Sequence, residues 1–253
     1  MTDLMADEVT TEIDGAVAVV EMHRPPTNFF DEALLARIGR ALFEVDENPE
    51  VRAVLLCAEG RHFCAGADLR GVDAHALRRV YRKAFGLFST RKPIVAAVQG
   101  AAIGGGLGLA LAADFRVAAP TSRFSANFAR LGFHQGFGIS VTLPAVVGQQ
   151  KALELLYTGR SVAGDEAHRI GLVDRLATDD PRPAAMDLAR EITGSAPMSL
   201  VAIRSTLRRD LNARVHAALD QEAAAQTLLL DTKDMREGIE ASIGKREPVF
   251  VGA

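Results

Sequence analysis

The sequence predicts an α/β protein with a helical C-terminal portion, and three observations carry that prediction. Short apolar, β-branched runs alternate with helical spacings as far as Ala119. Two of these runs lead into glycine-rich stretches, HFCAGADL at 62–69 and QGAAIGGGLGLALAAD at 99–114. After Gly148 almost every segment has helical spacing.

The elements follow in order. Ala16 to Met22 reads as a strand, and the turn at Pro25, Pro26 and Asn28 leads into a helix from Asp31 to Glu47. That helix opens on acidic residues and lines Leu34, Leu35, Ile38, Ala41, Leu42 and Val45 along one stripe. Ala53 to Ala58 is the strand feeding the first glycine stretch, and an arginine-rich helix, Ala74 to Phe88, comes next. Ile94 to Val98 is the strand feeding the second glycine stretch, whose helix ends near Ala113, and Phe115 to Ala119 is a further strand. Helical spacing then covers Lys151 to Thr158, Ala163 to Ile170, Ala184 to Thr193, Ser199 to Leu211, Arg214 to Leu230 and Lys233 to Ile243. Only Gly171 to Leu176 interrupts that series.

This pattern divides the chain into an α/β core at 1–195 and a helical region at 196–253. The 214–230 helix carries apolar residues on more than one face, among them Val215, Leu219 and Leu228 to Leu230. Burial against another subunit explains that pattern, and so does cover for the chain's own core.

Composition narrows the class. With 253 residues, 48% of them hydrophobic, the chain can bury a substantial core. A formal charge of −3 with scattered basic residues gives no electrostatic case for nucleic acid. The two cysteines, Cys57 and Cys64, have no CxxC spacing and predict reduced thiols and no metal site. The start MTDLMADEVTTEIDG is acidic and lacks the pattern of a secretory signal, and Ile103 to Ala113 is too short to span a bilayer. A soluble cytoplasmic protein is expected.

The glycine stretches match no nucleotide fingerprint. Gly104 and Gly106 leave Leu109 where GxGxxG needs its third glycine, and GxxxxGK[ST] is absent. Such glycines serve close packing of a helix on a sheet, or they bring main chain up to a ligand. Two strand-to-helix turns facing one another would also hold a developing negative oxygen between fixed N–H donors.

Taken in order, HRPPTNFF at 23–30, VRAVLLCAEGRHFCAGADL at 51–69, RKPIVAAVQGAAIGGGLGLALAAD at 91–114, LGF at 131–133, ALELLYTGRSVAGDEAHRIGLVDRL at 152–176 and REGIEASIGKREPVF at 236–250 resemble the crotonase, or enoyl-CoA hydratase/isomerase, superfamily. The resemblance implies a spiral of ββα units followed by a helical trimerisation region, assembled as trimers or dimers of trimers. It implies a coenzyme A thioester as ligand, with no cofactor beyond the coenzyme A of the substrate. It places the thioester oxygen between the backbone N–H groups of Ala67 and Gly105, with Ala67, Asp68, Leu69 and Arg70 along the ligand channel. Arg24 and Arg70 become candidates for the coenzyme's phosphates, beside the plainer reading of solvated arginines.

The same resemblance shows what is missing. Hydratases of the family carry two glutamates at positions that here hold Gly108 and Phe128, and isomerases carry an acid where this chain has Gly136. Neither glycine nor phenylalanine transfers a proton. His134, in the loop that would face the acyl group, is then the candidate general base, and Gln135 a residue to orient water, against the reading of an idle loop histidine. Asp68 is expected to hold its turn or cap the helix, and Asp114 to end a helix and organise backbone. Tyr81, His62 and Cys64 are lesser candidates. Phe128 and Phe133 make an apolar acyl pocket or pack the core.

Overall fold

All six residues of Ala53–Ala58 are buried, as required of a strand covered on both faces. The chain is described here by a computed structural model covering residues 8–67 and 73–253. In chain order the elements are β1 (Val9–Asp14), β2 (Val17–Met22), α1 (Glu32–Glu47), β3 (Ala53–Ala58), α2 (Ala74–Phe88), β4 (Ile94–Val98), β5 (Ala101–Ile103), α3 (Gly105–Ala112), β6 (Phe115–Ala118), β7 (Arg123–Ser125), α4 (Ile139–Val147), α5 (Gln149–Thr158), β8 (Ser161–Ala163), α6 (Gly164–Arg169), β9 (Arg175–Leu176), α7 (Pro181–Thr193), α8 (Pro197–Leu229) and α9 (Lys233–Gly244).

One sheet has the order β1-β2-β3-β4-β6-β9, antiparallel at β1–β2 and parallel elsewhere. A smaller sheet has the order β5-β7-β8. The unit β4-β5-α3 sends a strand into the large sheet, a strand into the small one and then a helix, which is the expected ββα repeat.

Alternation along the strands sorts the core into two faces. Ala18, Val20 and Met22 join Val54, Leu56 and Ala58 in the larger cluster, where Leu34, Leu35 and Ile38 of α1 also pack. Val17, Val19, Ala53, Leu55 and Cys57 face the other way, against Ala185, Leu188 and Ala189 of α7. At α1 the Asp31 carboxylate accepts from the Leu34 N–H at 2.8 Å, and Lys92 Nζ closes the other end on the Val45 carbonyl at 2.6 Å.

Four expectations need correction. Gly171 to Leu176 is not the only break in the helical series after Gly148, because β8 at Ser161–Ala163 pairs with β7 there. The segments 199–211 and 214–230 are one 33-residue helix, α8. Asn212 does not break it, because its amide donates to the Phe88 carbonyl at 2.9 Å and Val215 beyond it is fully buried. β1 is an additional strand that its polar composition conceals, being a half-exposed edge of Thr, Glu and Asp. α4 is an additional helix, hidden by the left-handed Gly138 before it and Pro144 within it.

Asp114 organises backbone at the end of α3, as expected. Its carboxylate accepts from the Ile94 N–H and from Arg204 and Arg208 of α8, each at 2.8 Å, and so ties the C-terminal helix to the sheet. No helix among the described residues is long and apolar enough to cross a membrane.

Both cysteines are free and buried, and burial pushes each thiol up to about 12. Thiolate is the reactive form. Native protein at pH 8 is therefore expected to give no reaction with a thiol reagent until it unfolds; stoichiometric labelling of folded protein would contradict this.

Candidate active site

Backbone pairing sews the two glycine stretches together. The Phe63 N–H donates to the Gln99 carbonyl, the Cys64 N–H to Ala101 and the Ile103 N–H to Cys64. On its other side the first stretch follows residues 27–30: the Ala65 N–H donates to Thr27, the Phe30 N–H donates to Gly66, and Phe30 and Ala67 form a parallel bridge. The first turn is thus held between β5 and the 27–30 segment, with no element of its own.

The glycines allow this close approach. A Cβ at Gly106 would run into the Cys64 carbonyl, and Gly104 adopts φ +54° as the cap of α3. A Cβ at Gly105 would stand 2.5 Å from the tip of the Phe30 ring. Gly105 is the first residue of α3, where backbone N–H groups have no partner inside the helix. Neither its N–H nor that of Ala67 donates to an acceptor among the described residues. Both residues are partly exposed, whereas Gly104 and Gly106 are buried.

Aromatic rings surround this turn. Phe30 and Phe137 meet edge to face with centroids 5.3 Å apart. A Cβ at Gly108 would lie 2.5 Å from Phe137 Cβ, so the space beside Gly108 is filled by a ring. Phe137 itself, at φ +63°, belongs to the loop that carries His134 and Gln135. Phe128 and Phe133 are both buried in the larger core cluster, and the Phe128 ring lies 3.8 Å from a Cβ built at Gly104.

His134 is half-buried, and its Nδ1 lies 2.7 Å from the Gln135 carbonyl. A carbonyl only accepts, so Nδ1 is the donor nitrogen of this contact and Nε2 is left outside it. Gln135 Nε2 donates to Ser140 Oγ at 3.0 Å. Beneath the loop, Tyr81 donates to Gln226 Oε1, and Gln226 Nε2 donates to the His134 carbonyl at 2.8 Å. A Cβ at Gly136 would strike the Tyr81 hydroxyl. Burial first, and the nearby Glu222 second, push the Tyr81 hydroxyl well above its ordinary range, so it stays protonated.

Other sequence candidates are placed as follows. The Arg24 guanidinium is paired with Glu8 at 2.7 Å and Asp31 at 3.0 Å, so its charge is already balanced. Asp68, Leu69 and Arg70 lie outside the described residues. His62 is lowered by burial and by Arg61, and buried Cys64 is a packing residue. Among the described residues no group of three His, Cys, Asp or Glu side chains is arranged to hold a metal ion. Glu222 and Gln226 are residues that sequence reasoning does not single out. Their only signal is a carboxylate and an amide one helical turn apart among alanines and leucines.

A family model described as enoyl-CoA hydratase/isomerase matches residues 12–253. The chain belongs to the enoyl-CoA hydratase/isomerase family. This family member is 33% identical over 254 aligned positions to a probable enoyl-CoA hydratase of Bacillus subtilis (strain 168), covering 96% of this chain and 98% of that protein. It is 37% identical to the cyclohexa-1,5-dienecarbonyl-CoA hydratase of Thauera aromatica, covering 94% of each. The crystal structure of an enoyl-CoA hydratase/isomerase from Pseudoalteromonas atlantica T6c superimposes with a TM-score of 0.86 at 30% identity, over 96% of this chain and 100% of that one. The enoyl-CoA hydratase/isomerase family and fold therefore hold for this chain.

Proposed function

We propose that the protein is an acyl-CoA thioester enzyme whose Ala67 and Gly105 N–H groups stabilise a thioester oxyanion, with chemistry other than two-glutamate hydration. The observation that carries this reading is that these two partly exposed residues, on two turns bonded to each other, have N–H groups with no acceptor among the described residues. Donors fixed in advance need no reorganisation as charge develops on the oxygen. Asp68, Leu69 and Arg70 follow Ala67 directly and are assigned with it to the channel, and Phe128 and Phe133 to its apolar wall.

With Gly108, Phe128 and Gly136 at the family's acid positions, proton transfer falls to His134, whose Nδ1 is engaged by the Gln135 carbonyl and whose Nε2 is the nitrogen left to act as base. Gln135 would orient a water. Such a base removes a proton from the carbon next to the thioester, or activates water, so double-bond migration and hydrolysis fit the site; decarboxylation needs only the oxyanion donors. The same empty acid positions favour a second reading, an acyl-CoA binder that turns nothing over.

Turnover across an acyl-CoA panel separates these. His134→Ala is expected to lower kcat by about 10²-fold or more on the thioester that wild type uses best. Equal rates would remove His134 from the mechanism, and tight binding without chemical change would establish the binder. We further propose a homotrimer or dimer of trimers, supported by exposed apolar residues on α8 such as Leu207, 76% exposed, and Leu228, 81% exposed. Light scattering is expected to give at least a trimer; a stable monomer would refute this.

A further inference from the structure

Glu222 is 1% exposed, and it is the only buried carboxylate residue among the described residues. No Lys or Arg pairs with it among them. Its oxygens accept instead from the Gly138 N–H at 2.7 Å and the Ser140 N–H at 2.9 Å, at the start of α4. The glycine loop before α4 thus receives its cap from α8, 82 to 84 residues further along the chain.

The cap continues into a relay. Glu222 holds the Ser140 N–H, Gln135 Nε2 donates to the Oγ of that same serine, and the Gln135 carbonyl accepts a hydrogen bond from His134 Nδ1. One turn along α8, Gln226 donates to the His134 carbonyl and accepts a hydrogen bond from the Tyr81 hydroxyl. The titratable groups facing Glu222 are Tyr81 from α2 and His134 from the loop.

Such a group is costly to keep. Burial raises the Glu222 carboxyl above its ordinary range. Its folded value then exceeds its unfolded one, so the charged form costs stability above the folded value. That cost disappears as pH falls below the unfolded value.

We propose that Glu222 is a positioning residue of the acyl site, acting through Ser140 and Gln135 to fix the orientation and tautomer of His134. The proposal rests on the reading that His134 faces the thioester. In Glu222→Gln one of the two N–H donors meets an NH2 group in place of an oxygen, while the volume is kept. The relay then loses its anchor.

The full-length protein, wild type, Glu222→Gln, His134→Ala and the double variant, provides the test. Ring nitrogen NMR of His134 is expected to show the Nδ1–H tautomer in wild type and a mixture in Glu222→Gln. Amide exchange at Gly138 and Ser140 should rise in parallel, with the thermal midpoint retained. On a thioester that wild type turns over, Glu222→Gln should lower kcat about tenfold to a hundredfold with KM little changed. It should add no further loss in the His134→Ala background.

An unchanged tautomer and unchanged loop exchange in Glu222→Gln would overturn the proposal, as would losses that add in the double variant. If Glu222→Gln proves too unstable to measure, Ser140→Ala breaks the same relay one residue on and is judged by the same tautomer signal. Failure of wild type to act on any thioester refutes the catalytic reading alone, since the NMR measurements need no turnover.

Discussion

Removing the Gly105 N–H lowers kcat/KM for an acyl-CoA thioester by about 10²-fold or more, the usual cost of one oxyanion donor. Proline at Gly105 removes the donor and suits the first position of a helix, where no intrahelical bond is lost. Any Cβ at that position would stand 2.5 Å from the Phe30 ring, so the comparison belongs in a Phe30→Leu background. There, Gly105→Ala keeps the N–H and Gly105→Pro lacks it, and the ratio of their kcat/KM values isolates the donor. Melting temperatures of the pair confirm that both fold. Equal rates would show that this N–H takes no part, and the oxyanion proposal would fall with it.

Replacing Asp114 with alanine destabilises the protein by about 3–5 kcal/mol, because it leaves buried charge without its counter-ion. The Asp114 side chain is 14% exposed, and its two partners, Arg204 and Arg208, are 6% and 12% exposed. Arg204 also donates to the Thr90 carbonyl, so it cannot swing out to water without losing a second buried bond. The Ile94 N–H at the start of β4 loses its acceptor as well. Denaturant unfolding measures the loss, and protease cleavage within α8 should accelerate because that helix loses its tie to the sheet. Asp114→Asn keeps an acceptor without the charge and should fall between the two. An alanine variant within about 1 kcal/mol of wild type would show that the arginines find solvent instead.

The parallel core was legible because burial on both faces leaves a local trace. Val54, Leu55 and Leu56 are apolar in succession since each faces one cluster or the other. α1 and α2 were legible for a similar reason: one stripe faces the core, and Asp31 and Asp73 cap their first turns. β1 left no such trace. Most of its residues face solvent, and its pairing with β2 uses main-chain groups that any sequence supplies. α4 stayed hidden because its cap, Glu222, is remote in sequence.

The candidate site divides the same way. Glycines at 104 to 106 and 108 mark the turn, since only they tolerate the neighbours found there, and the family resemblance is what singles out Ala67 and Gly105 as the expected donors. Arg24 looked free in the sequence, yet Glu8 and Asp31 neutralise it in the fold.

From sequence alone came the α/β class, the family, both glycine turns and the absence of acids at Gly108, Phe128 and Gly136. Tertiary structure decided that Phe137 fills the space beside Gly108, that Nδ1 of His134 donates to the Gln135 carbonyl, and that Glu222 and Gln226 support its loop. The physical reason is range: periodicity and turn chemistry act between near neighbours, while a buried carboxylate or ring is satisfied by whichever atoms the folded chain brings within a few ångströms.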